Sequence, residues 1–390
     1  MVGLLFPSSV AKAQYGNGIN ANIDSIEISL LTCGRGGESY SLYGHTAIRI
    51  NDKWDMRDIV VNYGLFSFKQ KNFVLRFIFG LTDYMMGMTS FSDFINEYKT
   101  EGRWVKEQVL DLSPQEKEEI VLAIIENSMP ENAEYRYNFI YDNCTTRARD
   151  MLVNHIKGKV KYEESHRGNL TYRDMIHICT KDEPWTRFGN DLLLGVKADA
   201  KTTQEEQQFL PEYLYQDFSN AVVVADSGQT RKLIMKERQL LNETLTKENI
   251  VFTPYKYMLF LALTLCLVSL FEWVRILNYW ILDACIFTVL GLAGLILTAM
   301  IFSQHPTVSL NYQILLLNPF ALVGLIGIIR KSRGKASLVY MVAVVFIVLF
   351  LICGIWQTYA EGLTVLALSL LIRYSLKWKT SKEKAQLKYS

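Results

Sequence analysis

Two residues of types that can do nucleophilic chemistry stand out in the first half of the chain, Cys144 and His45. Cys144 follows the polar turn at 141–143 and begins the helical pattern of residues 145–155. The positive end of a helix and its free backbone N–H groups lower the pKa of a thiol, and the same groups can hold the oxyanion of a tetrahedral intermediate. His45, which leads into a predicted strand, could act as the general base that such a thiol needs.

Other cysteines compete for the role of nucleophile. Cys33 is the alternative, because it follows a predicted strand and precedes the glycine-containing turn at 34–37. The polar surroundings and the helix start favour Cys144, although a lone cysteine is more often a small core residue. Together with Cys179, the predicted exported domain has three cysteines. Because this number is odd, one of them can remain outside a disulfide in an oxidising compartment. No spacing of histidine, cysteine and carboxylate residues resembles a metal site and no glycine-rich phosphate loop is present, so neither a metal nor a cofactor is predicted.

The elements around these residues predict an α+β domain over residues 22–245. Alternating apolar and polar side chains predict strands at residues 25–31, 46–50 and 59–63. Helical periodicity covers residues 92–98, and Ser113 with Glu116 predicts a capping box at the start of a second helix. A domain of this length is large enough for a substantial core.

The second half of the chain, residues 246–378, is predicted to cross a membrane. Five apolar stretches follow one another at residues 255–273, 279–302, 313–329, 338–356 and 362–376. About 18 or more apolar residues are needed to cross the hydrocarbon core as a helix. A buried core helix is the alternative for any single stretch, but five in succession predict an all-α domain of about five transmembrane helices.

Charge predicts the orientation of this membrane domain. The formal net charge is +2 and no block of like charge stands out in the first half, which argues against nucleic acid as a partner. Lysine and arginine gather instead at 330–335 and in the tail at 379–390, which two predicted helices separate, so both should be cytoplasmic. The region before residue 255 and the loop at 303–313 then lie outside.

The start of the chain agrees with that orientation. Residues 1–21 contain a short apolar stretch followed by Ala11-Lys12-Ala13, and small residues at this spacing suit a signal-peptidase site. We interpret this segment as the remainder of a secretory signal, with a plain N-terminal tail as the alternative. A secretory signal would place the α+β domain outside, as the basic loops do.

The chain order of the two reactive residues carries a first resemblance. A histidine on a strand comes first and a cysteine at a helix start follows much later, which is the reverse of the order in papain. This order and the Asn143-Cys144 step resemble the circularly permuted papain-like proteins, such as NlpC and lecithin:retinol acyltransferase-like enzymes. The resemblance implies that fold for the exported domain.

A longer set of motifs resembles the Lnb family of lipoprotein N-acyltransferases of Bacteroidota over residues 25–375. The motifs are Leu30–Gly34, Tyr43–Arg49, Asn62–Gly64, Glu101–Arg103, Tyr141–Arg147, Phe209–Pro211 and the membrane segment His305–Pro319. The resemblance implies a multi-pass protein of the bacterial inner membrane with its catalytic domain in the periplasm. It also implies transfer of a fatty acyl chain from a membrane phospholipid to the α-amine of the N-terminal cysteine of a diacylated lipoprotein.

This resemblance, taken with the residues, predicts individual roles. In a ping-pong reaction Cys144, deprotonated by His45, would attack the phospholipid ester and form a thioester that the lipoprotein amine resolves. Asn62 is the first choice for the residue that orients His45, and Asp142 is the second. Substrate contacts are expected at Tyr43, Asn143, Arg147, Arg149 and His305. The two arginines could meet a phosphate head group, with a solvated helix face as the alternative.

Other functions fit the same residues. A membrane-anchored thiol amidase or peptidase would also use Cys144 and His45 but would let water resolve the acyl-enzyme, and a phospholipase differs from it in the fate of the acyl chain. A non-catalytic membrane scaffold or sensor would keep the fold without the chemistry. Several apolar helices favour the acyltransferase, because they hold a thiol enzyme at the bilayer, where acyl chains are concentrated.

Overall fold

The computed structural model describes residues 23–66, 73–165, 167–245, 251–275, 277–329 and 335–386. The predicted signal at 1–21 and most of the basic loop at 330–335 lie outside the described residues. The chain divides into two compact units, of which the first contains the described residues of Met1–Leu170 and Lys201–Lys247. The second contains those of Thr171–Ala200 and Glu248–Ser390, so a segment predicted within the exported domain packs with the helices of the second half.

The first unit is built on a seven-stranded sheet whose neighbouring strands are all antiparallel. The strands of the unit are β1 Ile26–Cys33, β2 His45–Asp52, β3 Arg57–Leu65, β4 Asp83–Ser90, β5 Val105–Leu110, β6 Glu134–Arg136, β7 Lys159–Lys161, β8 Val222–Val224, β9 Thr230–Lys232 and β10 Ile234–Leu241. The order across the large sheet is β10-β5-β1-β2-β3-β4-β6, and β7-β8-β9 form a second, small sheet. The three predicted strands are confirmed as β1, β2 and β3.

Helices cover both faces of the large sheet. Those of the first unit are α1 Phe73–Ile78, α2 Phe91–Thr100, α3 Pro114–Asn127, α4 Pro130–Ala133, α5 Cys144–Val153, α8 Gln204–Gln207 and α9 Pro211–Ser219; α6 Tyr172–Cys179 and α7 Pro184–Leu193 belong to the second unit. The capping box predicted at the start of α3 is confirmed, because Ser113 accepts from the Glu116 N–H and the Glu116 carboxylate accepts from the Ser113 N–H.

Strands β1 and β2 are buried because alternate side chains enter two different cores. On one face Leu30 and Ile48 join the core that includes Ile120 of α3. On the other face Leu31 and Ala47 pack in a smaller cluster with the aromatic side chains of α2. A strand that is covered on both faces has little freedom to shift in register, so the residue that begins β2 has a fixed position.

A buried ion-pair network ties β2 to its neighbour β3 and, across β1, to β5. The Arg49 guanidinium donates to Glu107 of β5 at 2.9 Å and to Asp58 of β3, and it lies 3.4 Å from the centre of the Phe91 ring. Glu107 is 1% exposed and also accepts from Arg238 of β10 at 3.0 Å. Buried charges need partners of this kind, because an unpaired charge away from water is very costly.

The second unit is helical. Besides α6 and α7, its α-helices in the described residues are α10 Pro254–Arg275, α11 Trp280–Ile301, α12 Ala321–Ile329, α13 Lys335–Cys353 and α14 Leu363–Gln386. Each of the five predicted stretches contains a helix, but in the described part of the chain only α10 and α11 are both long and apolar enough to cross a membrane. The last helix also continues past the predicted end at residue 376 into the segment predicted as a tail.

The prediction of one continuous helix over residues 313–329 is wrong. A 3₁₀ turn at Tyr312–Leu315 is followed by a break before α12 begins at Ala321. Pro319 cannot donate a helical hydrogen bond, and the chain beside it packs directly on Gly294 of α11, where a Cβ would lie 2.4 Å from the Pro319 nitrogen. The buried Gln313 side chain supports the break, because it donates to the Asp191 carbonyl and accepts from the Ala360 N–H.

Three charged side chains inside the predicted spans, together with Lys377 just after the last span, form a buried network in the second unit. Arg373 of α14 is fully buried and donates to Asp283 of α11 at 2.6 Å and to Glu272 of α10 at 2.7 Å. Lys377 donates to Glu272 at 2.7 Å. Two cations and two carboxylates thus join three helices, which the sequence analysis did not foresee.

Hydrogen bonds donated by Arg173 hold residues 171–200 together, and bonds donated by two amide side chains join this segment to the rest of the second unit. Arg173 is 2% exposed and donates to Asp191 at 2.6 Å and to Asp199 at 2.8 Å, which closes the segment on itself. The Gln357 amide donates to the Leu194 carbonyl, and the Asn311 amide donates to the Leu192 carbonyl. These bonds satisfy backbone groups that would otherwise be buried without partners.

Replacing Glu107 with alanine should destabilise the protein, because it leaves the buried Arg49 and the half-buried Arg238 with fewer carboxylate partners. We expect the free energy of unfolding to fall by about 3 kcal/mol or more, measured by urea unfolding of the detergent-solubilised protein. The control is Arg57→Ala, which breaks the exposed pair with Asp55 and should cost less than about 1 kcal/mol. Equal losses for both variants would contradict the importance of the buried network.

Candidate active site

The start of helix α5 is fixed by the side chain of Asn143. Its Oδ1 accepts from the Thr145 and Thr146 N–H groups at 2.8 and 2.9 Å. Its Nδ2 donates to the carbonyl oxygens of Phe139 and Phe209, both at 2.8 Å. Asparagine is a favoured N-cap residue because its short amide reaches these otherwise free donors. The cap therefore places Cys144 at the first position of the helix.

This cap bears on two expectations. Asn143 is 3% exposed and its amide is engaged by the protein itself, which gives the side chain a structural role in place of the substrate contact expected there. The free N–H groups of the helix start were expected to be able to hold an oxyanion, but Asn143 already accepts from those of Thr145 and Thr146. Among the N–H groups of the first three residues of α5, that of Cys144 is the one to which the Asn143 side chain is not bonded.

His45 is placed by a tight turn and by the register of the sheet. Gly44 before it has a φ of +81°, and a Cβ there would lie 2.8 Å from the Cys33 carbonyl oxygen, so both conformation and space require glycine. His45 lies opposite Cys33 in the β1–β2 ladder. Its Nε2 lies 3.1 Å from the Asn62 Oδ1, which can only accept, so Nε2 carries the proton.

The structure brings Cys144, His45 and Asn62 together. The Cys144 thiol and the His45 ring are close enough for each to shift the pKa of the other, and since Nε2 faces Asn62, the ring nitrogen that is left for the thiol is Nδ1. Asn62 lies on β3, is 6% exposed and fixes the orientation of the ring. Asn62 was the first choice from the sequence, and the arrangement is that of a nucleophile, a base and an orienting amide.

Each partner of the Cys144–His45 pair stabilises the charge of the other. Burial alone would raise the pKa of the Cys144 thiol, but the His45 ring and hydrogen bonds from the Thr46 backbone and Thr145 hydroxyl lower it below its ordinary value. Burial alone would lower the pKa of His45, but the Cys144 thiolate and the Asn62 hydrogen bond raise it. The thiolate–imidazolium form is therefore favoured at neutral pH relative to isolated side chains.

A contact between two threonines joins the strand and the helix that carry this pair. Thr46 of β2 donates its buried hydroxyl to the Thr145 hydroxyl of α5 at 3.1 Å. Thr145 also lies 3.8 Å from the Cys144 sulfur. Because each threonine is the chain neighbour of a reactive residue, this bond sets the spacing between His45 and Cys144.

Cys33 does not have the properties of a nucleophile. It is 1% exposed, and burial raises the pKa of its thiol to about 12. The thiol is therefore protonated at any ordinary pH and out of reach of a substrate. Neither Cys33 nor Cys179 is part of a disulfide.

Asp142 does not orient His45, which corrects the second choice from the sequence. Both of its carboxylate oxygens accept from Arg147, at 2.6 and 2.8 Å. The Arg147 guanidinium also lies 3.5 Å from the centre of the Tyr135 ring. Arg147 is thus ion-paired and stacked, so its guanidinium is less available to a phosphate group than the sequence suggested.

The remaining predicted substrate contacts are dispersed. Arg149 donates to Asp150 at 2.7 Å and to Gln208 at 3.3 Å. Tyr43 is half-buried and packs edge-on against the Phe139 ring at 4.7 Å. His305 belongs to the second unit, where its N–H donates to the Ser303 hydroxyl.

Sequence reasoning overlooked the tyrosines that line the site. Gly64 has a φ of +83°, and a Cβ there would lie 3.6 Å from the Cys144 Cβ and 3.9 Å from both the Tyr135 hydroxyl and the Tyr137 ring. The Tyr137 ring stacks on Tyr84 at 4.1 Å. The one available signal was Gly64 in the Asn62–Gly64 motif, because a glycine inside a strand often marks a close approach.

Comparisons with known proteins assign both halves of the chain to one family. Residues 18–177 match the Lnb N-terminal periplasmic domain, and residues 246–384 match the Lnb transmembrane domain. No curated protein and no solved structure matches the chain. The two matches indicate a membrane protein with a periplasmic region, and the sheet-rich first unit and helical second unit fit that description. In the described residues no three histidine, cysteine, aspartate or glutamate side chains are grouped as metal ligands.

Replacing His45 with alanine should raise the pKa of Cys144, because the stabilising charge is lost while burial remains. One pKa unit is a tenfold change in thiolate, so alkylation of Cys144 by iodoacetamide at pH 7 should slow by about tenfold or more, measured by peptide mass spectrometry. In a pH profile the wild-type rate should rise at lower pH than that of the variant. The control is His155→Ala, since that ring bonds the Met151 carbonyl instead. An unchanged profile in His45→Ala would disprove the ion pair.

Proposed function

The chain belongs to the Lnb family, and from this premise we propose that it is a lipoprotein N-acyltransferase that carries the acyl chain on Cys144. The donor is a membrane phospholipid, and the acceptor is the α-amine of the N-terminal diacylglyceryl-cysteine of a lipoprotein. The observation that carries the proposal is the contact of Cys144 with the Asn62-oriented His45, in a chain that also has a transmembrane domain.

The first half-reaction forms a thioester. The Cys144 thiolate attacks the ester carbonyl of the phospholipid, and a tetrahedral intermediate forms with the negative charge on the former carbonyl oxygen. Its collapse breaks the bond to the glycerol oxygen, which takes a proton from the His45 imidazolium and leaves as a lysophospholipid. The low pKa of the thiol supports this role, because the thiolate is the reactive form.

The second half-reaction forms the amide. The neutral imidazole of His45 accepts a proton as the lipoprotein amine attacks the thioester carbonyl. The bond to sulfur then breaks, which restores the Cys144 thiolate beside the imidazolium. Asn62 keeps the ring in one orientation through both steps, because its oxygen accepts from Nε2 while Nδ1 exchanges the proton.

The fold of the first unit supports a circularly permuted papain-like domain. A helix that begins with the cysteine packs against an antiparallel sheet whose neighbouring strands β2 and β3 carry the histidine and the asparagine. The histidine strand precedes the cysteine helix in the chain, as the permutation requires. We extend the proposal to about five membrane spans in the inner membrane, with the catalytic unit in the periplasm and the bilayer as a direct partner.

The test is mass spectrometry of lipoprotein N-termini from cells that lack this protein and carry plasmid-borne variants. The wild type should restore the amide-linked acyl chain, and Cys144→Ala should restore none. Cys33→Ala is the matched control, because it removes a buried thiol that is protonated at working pH. It should restore acylation to within about threefold of wild type, as removal of a side chain with no part in the transition state does not reduce the rate.

The same experiment separates the competing functions. Unchanged N-acylation in the deletion strain would contradict the proposed reaction. Release of free fatty acid by the purified wild type, with no N-acylated product when a lipoprotein is supplied, would indicate a phospholipase. Full complementation by both Cys144→Ala and His45→Ala would indicate a non-catalytic scaffold.

A further inference from the structure

The oxyanion of the tetrahedral intermediate needs hydrogen-bond donors, and the start of α5 supplies only part of them. Charge develops on the carbonyl oxygen during attack, and enzymes place fixed donors at that position. The Asn143 side chain already occupies the N–H groups of Thr145 and Thr146. The N–H of Thr46 is directed to the Cys144 sulfur. A further donor beside Cys144 therefore has to come from another element of the unit.

Tyr135 of β6 carries a hydroxyl group that meets this need. Its side chain is 8% exposed, and within the described residues its buried hydroxyl has no hydrogen-bond acceptor. The backbone N–H of Gly64 approaches the oxygen, which leaves the hydroxyl proton free to donate. A buried hydroxyl whose proton has no acceptor is costly, and such groups often serve a ligand or a reaction.

The missing side chain of Gly64 leaves room between this hydroxyl and the nucleophile. A Cβ at that point would lie 3.6 Å from the Cys144 Cβ and 3.9 Å from the Tyr135 oxygen, with the Tyr137 ring also at 3.9 Å. Among the described residues, and apart from the chain neighbours of Gly64, no heavy atom lies closer to that point than these. The space at Gly64 therefore lies between the Cys144 Cβ, which bears the nucleophilic sulfur, and the Tyr135 hydroxyl.

The surroundings of Tyr135 keep its hydroxyl protonated and polarised. Burial and the nearby Cys144 thiolate raise the pKa of Tyr135, so the group donates a hydrogen bond and does not ionise. The Arg147 guanidinium, held by Asp142, lies 3.5 Å from the ring centre. A cation over the ring draws electron density from the phenol, which makes the hydroxyl a stronger donor.

We propose that the Tyr135 hydroxyl is the oxyanion donor of the acyl transfer. The inference rests on the proposed function only in that Cys144 is acylated. When the thiolate attacks, the carbonyl π electrons move to oxygen, and the Tyr135 O–H donates to that oxygen without losing its proton. When the intermediate collapses, the electrons return to the carbonyl and the leaving oxygen takes the His45 proton. Tyr135 thus acts in both half-reactions and is unchanged at the end.

The test is Tyr135→Phe, which keeps the ring beneath Arg147 and removes only the hydroxyl. Purified full-length protein is treated with p-nitrophenyl butyrate, and thioester formation at Cys144 is followed by intact mass. Loss of one oxyanion donor typically costs about 10²–10³ in rate, so we expect acylation to slow by at least about a hundredfold. Iodoacetamide alkylation of Cys144 needs no oxyanion donor, so it should stay within about twofold of wild type.

Two further results decide the outcome. Tyr63→Phe is the matched control, because the Tyr63 hydroxyl donates to Asn127 at 3.0 Å, and its acylation rate should stay within about threefold of wild type. Acylation of Tyr135→Phe at the wild-type rate, or a parallel loss of acylation and alkylation, would overturn the assignment. Acylation by p-nitrophenyl butyrate requires neither a phospholipid nor a lipoprotein. The result for Tyr135 can therefore be interpreted even if the proposed acyl donor or acceptor is wrong.

Discussion

The chemistry of this protein depends on the ion pair of Cys144 and His45, which forms in a buried environment where an isolated charge is unfavourable. Burial disfavours both the Cys144 thiolate and the His45 imidazolium, and each becomes favourable because the other is present. Such a pair is sensitive to distance and to the orientation of the ring. The surrounding fold must therefore hold a helix start and a strand start at a fixed separation.

Three local devices provide that separation. Gly44 allows the turn that directs His45 into β2, Asn143 sets the first residue of α5, and the Thr46–Thr145 bond joins the two elements beside the pair. The Arg49 network then prevents β2 from shifting against β3 and β5. Each device acts on backbone position, so the reactive side chains need few contacts of their own and remain accessible to a substrate.

The sequence was informative where the cause of a structure is local. Alternation predicted β1–β3, and the spacing of Ser113 and Glu116 predicted the start of α3, because strands and caps depend on nearby residues. Asn62 could be chosen as the partner of His45 because adjacent antiparallel strands bring their side chains together. The packing of residues 171–200 and the surroundings of the Tyr135 hydroxyl depend on distant contacts, which periodicity does not encode.

The membrane unit shows a related limit of hydropathy. Helix α14 carries Arg373 and Lys377, which lower its apolar character, yet both cations are paired with Glu272 and Asp283 and turned away from the surface of the unit. Charge inside a membrane is tolerated when it faces the interior of a helix bundle and is paired. A helix of this kind presents an apolar exterior, as at Leu368 and Ile372, while its mean hydropathy falls below that of α10 and α11. Hydropathy averaged along a sequence therefore underestimates how much of the chain a bilayer can accommodate. The average counts a buried, ion-paired side chain as if it were exposed to lipid.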